Sequence, residues 1–360
     1  MLHENAARNR FLLGAIRWDS WVGNLSGPCV SCLNEESMLS PAKWHYRLPF
    51  YGKVIASDVA LARFDNQAVM DAEIQSAAGA LDYWAFFEEE PNTPKFTALK
   101  LYLASALSHK VGFTVVCGPG CLNGIGVQQQ LAYFRHLSYV LLPDGRPLVY
   151  IFLRLLHDDD HLPAIARQLR AVLGNLTSLS ISQGTGAPYY VAMHPDPKVA
   201  AHISTMAGLN SLSTYSWRPV ATVGENVTIR YPYSRLTAAV ESRWDEYAAV
   251  VNGTGIGVVP CAMTGWDGRP RQERPDINPA FKTAYHDSYV NGSPNAVARH
   301  VMQAARWCQR HPRLAPGNAV LIYAWNEFSE GGHLCPRLSD GDDRLRAIRE
   351  VRSTSAFDEI

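Results

Sequence analysis

The sequence is short of the features that would place it at a glance. It has no net charge, Lys plus Arg matching Asp plus Glu at 33 each, so no field of one sign favours nucleic acid or an anionic membrane. A small neutral substrate fits that balance. No apolar run approaches the roughly 20 residues needed to span a bilayer, and the opening MLHENAARNR is polar rather than leader-like, so a secreted or periplasmic location would require a signal peptide already removed. The seven cysteines are too few for a disulfide scaffold and odd in number, leaving at least one unpaired or paired to another chain. Cys29 and Cys32 form a CxxC with no second pair to complete a zinc site, so a loop disulfide or two free thiols is expected there and no metal. No GxGxxG follows the first apolar run, and Cys117-Gly-Pro-Gly-Cys121 lacks the Lys-Ser/Thr sequel of a phosphate-binding loop and reads as a turn. N-x-S/T sequons at Asn24, Asn175, Asn226, Asn252 and Asn291 permit glycosylation in a secretory pathway.

What is present is a regular alternation. The chain has 360 residues, 47% of them hydrophobic, enough for a large core. Short apolar runs at Phe11–Arg17, Leu81–Phe87, Val111–Cys117, Pro147–Phe152, Tyr189–His194, Leu209–Tyr215, Ile256–Ala262 and Ala319–Trp325 read as buried parallel strands. Between them, segments with apolar positions at three- and four-residue spacing read as helices: Asn66–Gly79, Thr97–Lys110, Val127–Leu142, Leu162–Leu173, Pro197–Gly208, Tyr233–Asn252 and Pro294–Gln309, with Asp342–Arg352 closing the set. Eight strand-helix units predict a (β/α)8 TIM barrel, one catalytic domain over residues 1–360 with a loop insertion at about 22–65. That insertion and the loops at Val220–Pro232 and Gly265–Asp287 follow strands, which puts them on the catalytic face.

The densest chemistry follows the last strand. The stretch Tyr323 to His333, YAWNEFSEGGH, places Glu327 and Glu330 three residues apart, among Trp325, Asn326 and Phe328 and before a Gly-Gly pair. Paired acids in a loop are often merely solvated, but these neighbours imply a tight, partly buried turn. Two nearby carboxyls push their proton affinities apart and leave one protonated near neutral pH, which is what cleavage of a glycosidic bond requires. Other strand ends add Trp18, Asp19 and Trp21, then Glu88 to Glu90, His194, Tyr215 with Trp217, and Trp266 with Asp267. Flat rings and hydrogen-bonding groups of this kind suit sugars, and the candidate substrate contacts are Trp18, Asp19, Trp21, Glu88, His194, Tyr215, Trp217, Trp266, Asp267, Trp325, Asn326 and His333. The run His157-Asp-Asp-Asp-His161 reads as a metal cluster or, at least as well, as a charged helix start.

With these residues in view, WNEFSEGGHL resembles the WNEW-x-EG signature of glycoside hydrolase family 99 and of related WbsX-like domains. Residues 14–21, residues 71–86 and Trp266-Asp-Gly-Arg-Pro-Arg271 are similar to further segments of those proteins. The resemblance implies a retaining glycosidase on a (β/α)8 barrel, acting on an oligo- or polysaccharide without a cofactor. In its terms Glu330 is the general acid/base and Glu327 the base that assists the sugar's own 2-hydroxyl in attacking the anomeric carbon. The chain departs from the pattern at Phe328, at Cys335-Pro336 and after Asp267. Two alternatives stay open on the residues alone: a glycosyltransferase or transglycosylase of polysaccharide synthesis, and a non-catalytic carbohydrate-binding barrel that keeps the rings and tolerates loss of either glutamate.

Overall fold

A computed structural model describes residues 11–23, 29–88, 93–118, 124–153, 161–219, 229–281 and 287–353. Glu89, Glu90, Cys121, His157 to Asp160 and the sequons at Asn24 and Asn226 lie outside these residues.

Parallel strands β1 (Leu12–Arg17), β2 (Tyr83–Phe87), β3 (Gly112–Cys117), β4 (Leu148–Phe152), β5 (Tyr189–Met193) and β6 (Ser211–Ser213) pair in sequence order, and β8 (Ala319–Tyr323) pairs with β1. The seventh strand closes the ring in two pieces. Gly257–Val258 pairs with β6 and Cys261–Met263 pairs with β8, with Val259-Pro260 between them. Proline has no N–H to give a ladder, and the strand changes partner at that point; together the two pieces are β7. The chain is a (β/α)8 barrel, as the alternation predicts.

Barrel helices α1 (Gln67–Ala77), α2 (Thr97–Ala104), α3 (Gly124–Phe134), α4 (Leu162–Ser182), α5 (Pro197–Ala207), α6 (Tyr233–Val251), α7 (Pro294–Arg310) and α8 (Asp343–Ser353) follow the strands. Their starts are written locally. The side chains of Asn66, Asp196 and Ser293 accept hydrogen bonds from the first free backbone N–H groups of α1, α5 and α7, and proline opens α5 and α7. Two helices end earlier than their periodicity predicts. Beyond α2, Ser105 is extended and its hydroxyl bonds Asp71 and the backbone N–H of Leu107. Beyond α3, Tyr139 and Val140 are drawn to β3, where the backbone N–H of Val140 reaches the carbonyl of Phe113. In contrast, α4 runs past Leu173 to Ser182, burying Leu162, Ala166, Leu169, Leu173 and Leu176 along one face.

The barrel interior is filled, not hollow. Gly14 on β1 is required there, because a Cβ would stand 1.9 Å from the ring of Tyr83. That ring crosses the interior to meet the hydroxyl of Tyr150 at 2.7 Å.

The insertion after β1 is structured. It holds a helix (Val30–Leu39), a 3-10 turn (Ala42–Arg47) and a hairpin of Lys53–Ala56 with Val59–Leu61. Its ends are pinched together where the backbone N–H of Gly23 meets the carbonyl of Phe64 at 2.7 Å. Cys29 and Cys32 form a disulfide at the start of its helix, and no helix among the described residues is long and apolar enough to cross a membrane.

Candidate active site

The last strand delivers the two glutamates into a buried turn. β8 reads AVLIY with every residue buried. Asn326–Glu327 then pairs antiparallel with Gly332–His333, and a 3-10 turn over Phe328–Glu330 joins the two. The return needs glycine: Gly331 has φ +77°, and a Cβ there would lie 2.9 Å from the backbone nitrogen of Asp267. That nitrogen donates to the carbonyl of Glu330 at 2.6 Å, locking the turn to the loop after β7.

Both carboxyls are almost wholly covered, and each meets a tyrosine hydroxyl. Tyr215, just past β6, donates to Oε1 of Glu327 at 2.5 Å. Tyr323, the last residue of β8, donates to Oε2 of Glu330. A single guanidinium serves both acids. Arg271, in the short helix Arg269–Gln272, places Nη1 2.9 Å from Oε1 of Glu330 and Nη2 3.8 Å from Oε2 of Glu327. Its other contacts fix it in place: Nε donates to Oγ of Ser329 at 3.0 Å and Nη2 to Glu35 at 2.6 Å. Glu35 comes from the insertion helix and accepts a second hydrogen bond from Ser329.

These surroundings set the charges. Burial pushes Glu327 up to about 8, the charge of Glu330 adds to the shift, and Arg271 opposes it. Burial likewise raises Glu35, with Arg271 and the Ser329 hydroxyl acting against the rise. Glu330 holds the shorter ion pair with Arg271, a contact that favours its anion. The two effects draw the proton of the Glu327–Glu330 pair toward the Glu327 side.

Around this centre the other expected residues divide into several groups. Trp18 is half-buried at the mouth, its ring 4.8 Å from the Lys95 ammonium and 6.0 Å from the Arg271 guanidinium. Asn326 accepts from the backbone N–H of Trp18 at 3.0 Å and donates to Asp19 at 3.2 Å, while Asp19 is held by Arg17 at 2.9 Å. Asp19 and Asn326 thus tie the end of β1 to the glutamate turn, and Arg17 continues the link inward to Glu73 at 2.7 Å. Asp267 is gripped by Arg269 and Arg47; burial alone would raise its proton affinity, but these two cations hold it below the usual carboxylate range. Trp21, Trp266 and Trp325 offer no open ring face. Trp21 lies edge-on to Phe328, Trp266 lies between Arg218 and Tyr323, and the Trp325 indole donates to Glu73 at 3.2 Å. His333 sits under the turn, 3.1 Å from Arg344, and burial together with the charges of Arg337 and Arg344 keeps it neutral.

Three further expected residues make contacts of their own. Glu88 at the end of β2 accepts from Gln130 at 2.5 Å, and burial pushes it up to about 8. His194 packs on the turn into α5 through the backbone of Asp196, and Trp217 lies against Arg243 at 5.0 Å. The residues that sequence reading passed over are Glu35, Arg271, Tyr323 and Arg47. Tyr323 and Arg271 stood inside quoted motifs without a role. Glu35 carried no signal, because the insertion read as loop and its partner lies 236 positions away.

The barrel thus carries a buried carboxyl pair directly after its last strand. No family model matches the chain, and no curated protein does. Among solved structures it is similar to the GH99 endo-alpha-mannosidase from Bacteroides thetaiotaomicron, with a TM-score of 0.59 and 13% identity over 97% of this chain and 98% of that one. A second structure of that enzyme, in complex with bis-tris-propane, is similar over 98% of this chain and 99% of that one, with a TM-score of 0.58 and 13% identity. At this identity the likeness establishes a shared fold from end to end.

Proposed function

We propose that the protein is a glycoside hydrolase that cleaves an oligo- or polysaccharide at the mouth of the barrel, with Glu330 as general acid/base and Glu327 as its partner. The observation that carries this reading is the buried pair itself: two carboxyls in one turn, each on a tyrosine hydroxyl, sharing one arginine. Burying acids this way costs stability, and such sites are characteristically catalytic.

In the proposed reaction the pair's proton first passes from Glu327 to Glu330 as substrate binds, and Glu330 then gives it to the glycosidic oxygen as the bond to the anomeric carbon breaks. Glu327 takes the proton of the sugar's 2-hydroxyl as that oxygen closes on the same carbon. Water, deprotonated by Glu330, then opens the three-membered ring, and Glu327 returns its proton to the 2-oxygen. The sum is one glycosidic bond broken and one water consumed, with retention at the anomeric carbon. Trp18 is the proposed ring platform at the entrance. The similarity to an endo-alpha-mannosidase makes internal α-mannosidic linkages the first substrates to try.

A second reading reverses the two roles, and one observation favours it: Arg271 pairs at 2.9 Å with Glu330 but stands 3.8 Å from Glu327, whose proton affinity burial raises. Leaving-group chemistry separates the two. Replacing the proton donor by glutamine spares a glycosyl fluoride, whose departure needs little acid assistance, whereas replacing the other glutamate slows fluoride and natural substrates alike. The broader proposal is tested by incubating the protein with α- and β-linked glycans and following the first-formed anomer by NMR. Initial retention is expected; binding without any release of reducing ends would leave a carbohydrate-binding barrel instead.

A further inference from the structure

We infer that Glu35, supplied by the insertion after β1, is a positioning residue that sets the pH at which the Glu327–Glu330 pair gives up its proton, acting through Arg271. The inference rests on the catalytic reading of that pair but not on which member is the acid. Its basis is a closed ring of contacts. Arg271 reaches Glu35 through Nη2 at 2.6 Å and Ser329 through Nε at 3.0 Å, and the Ser329 hydroxyl donates back to Glu35. The guanidinium therefore cannot swing toward Glu327, whose Oε2 stays 3.8 Å away and accepts no hydrogen bond among the described residues. One cation is shared by three buried carboxyls, and whatever share Glu35 takes is lost to the catalytic pair.

The remaining groups facing the cluster leave Glu35 as the adjustable one. Tyr323 from β8 and Tyr215 after β6 each give a single hydroxyl to one glutamate. Asp267, after β7, is already neutralised by Arg47 and Arg269. Lys95 acts on Glu35 with a charge opposite to that of Glu330. With Glu35 anionic, the pair feels both a weakened Arg271 and a direct repulsion, so it holds its proton to higher pH. The insertion would thus tune the chemistry as well as wall the cleft.

Glu35→Gln keeps the shape and removes the charge. With Arg271 then free to favour the ionised pair, the alkaline limb of kcat/KM is expected to move down by about one pH unit, a tenfold change in proton affinity. Glu35→Asp, which keeps the charge but draws it back from Arg271, is expected to move the limb the same way by less. A structural role alone would lower activity at every pH and leave the limb in place. An unmoved or upward-moving limb in Glu35→Gln would overturn the inference, as would an unmoved limb in Glu35→Asp should the glutamine variant fail to fold. Absence of any glycan cleavage by the wild-type protein would instead strike the functional reading beneath it.

Discussion

Arg271→Met puts the electrostatics of the site under the heaviest load. The substitution preserves most of the apolar stem but leaves Glu35 and Glu330 without ion-pair partners that now stand at 2.6 and 2.9 Å. Two unit charges about 4 Å apart interact by about 4 kcal/mol at an effective dielectric of 20, and stranding one member of a buried pair costs about 3–5 kcal/mol. A loss of that order is expected at pH 8. The loss must also depend on pH in a fixed direction. Without the guanidinium, the folded carboxyls hold their protons more tightly than unfolded ones, which titrate near pH 4.3. Between that value and the raised folded value the native state binds more protons, so stability falls as pH rises and returns on acidification, by up to about 1.4 kcal/mol per unit for each group. Thermal unfolding of wild type and variant at pH 5, 6.5 and 8 measures this. A deficit that is the same at all three pH values would refute the shared-arginine description.

Three further outcomes are expected. Glu327→Gln abolishes turnover yet stabilises the fold at neutral pH, because the wild-type carboxyl, pushed up to about 8, must be kept protonated; at pH 7 the gain is at most about 4 kcal/mol and it vanishes near pH 4.5. A variant no more stable than wild type at pH 7 would contradict the cost of burial. Trp18→Ala removes the half-buried ring at the mouth and is expected to raise KM about tenfold with kcat little changed, whereas an equal fall in kcat would give Trp18 a role in the transition state. His333, held neutral by burial and by Arg337 and Arg344, should show no ring titration by NMR between pH 8 and 5; its depressed folded value withdraws stability only as pH falls below about 6.5, where the unfolded side chain takes a proton.

The barrel was legible because its signals are local. Each strand is a short apolar run such as AVLIY, and helix starts are marked by Asn66, Asp196 and Ser293, whose side chains cap within three residues. The errors fall where tertiary pairing overrode local pattern: Ser105 left its helix for Asp71, and Val140 joined β3. The insertion helix was missed because its apolar and polar positions do not segregate strongly, and its start is stapled by a disulfide rather than written in periodicity. At the site, the two glutamates announced themselves by spacing and by the aromatic and glycine residues around them. Arg271 and Glu35 did not, since the contact that makes them matter joins distant elements and leaves no trace in spacing.

The central claim is that the buried pair performs glycosidic cleavage, and turnover by Glu330→Gln tests it most directly. The measurement takes a glycan that the wild-type protein cleaves, confirms that the variant keeps its wild-type unfolding temperature or exceeds it, and compares initial rates of reducing-end release at the wild-type pH optimum. Loss of more than about a hundredfold is expected of a variant deprived of its general acid/base. Undiminished turnover by a folded Glu330→Gln would contradict the assignment and move the chemistry away from this turn.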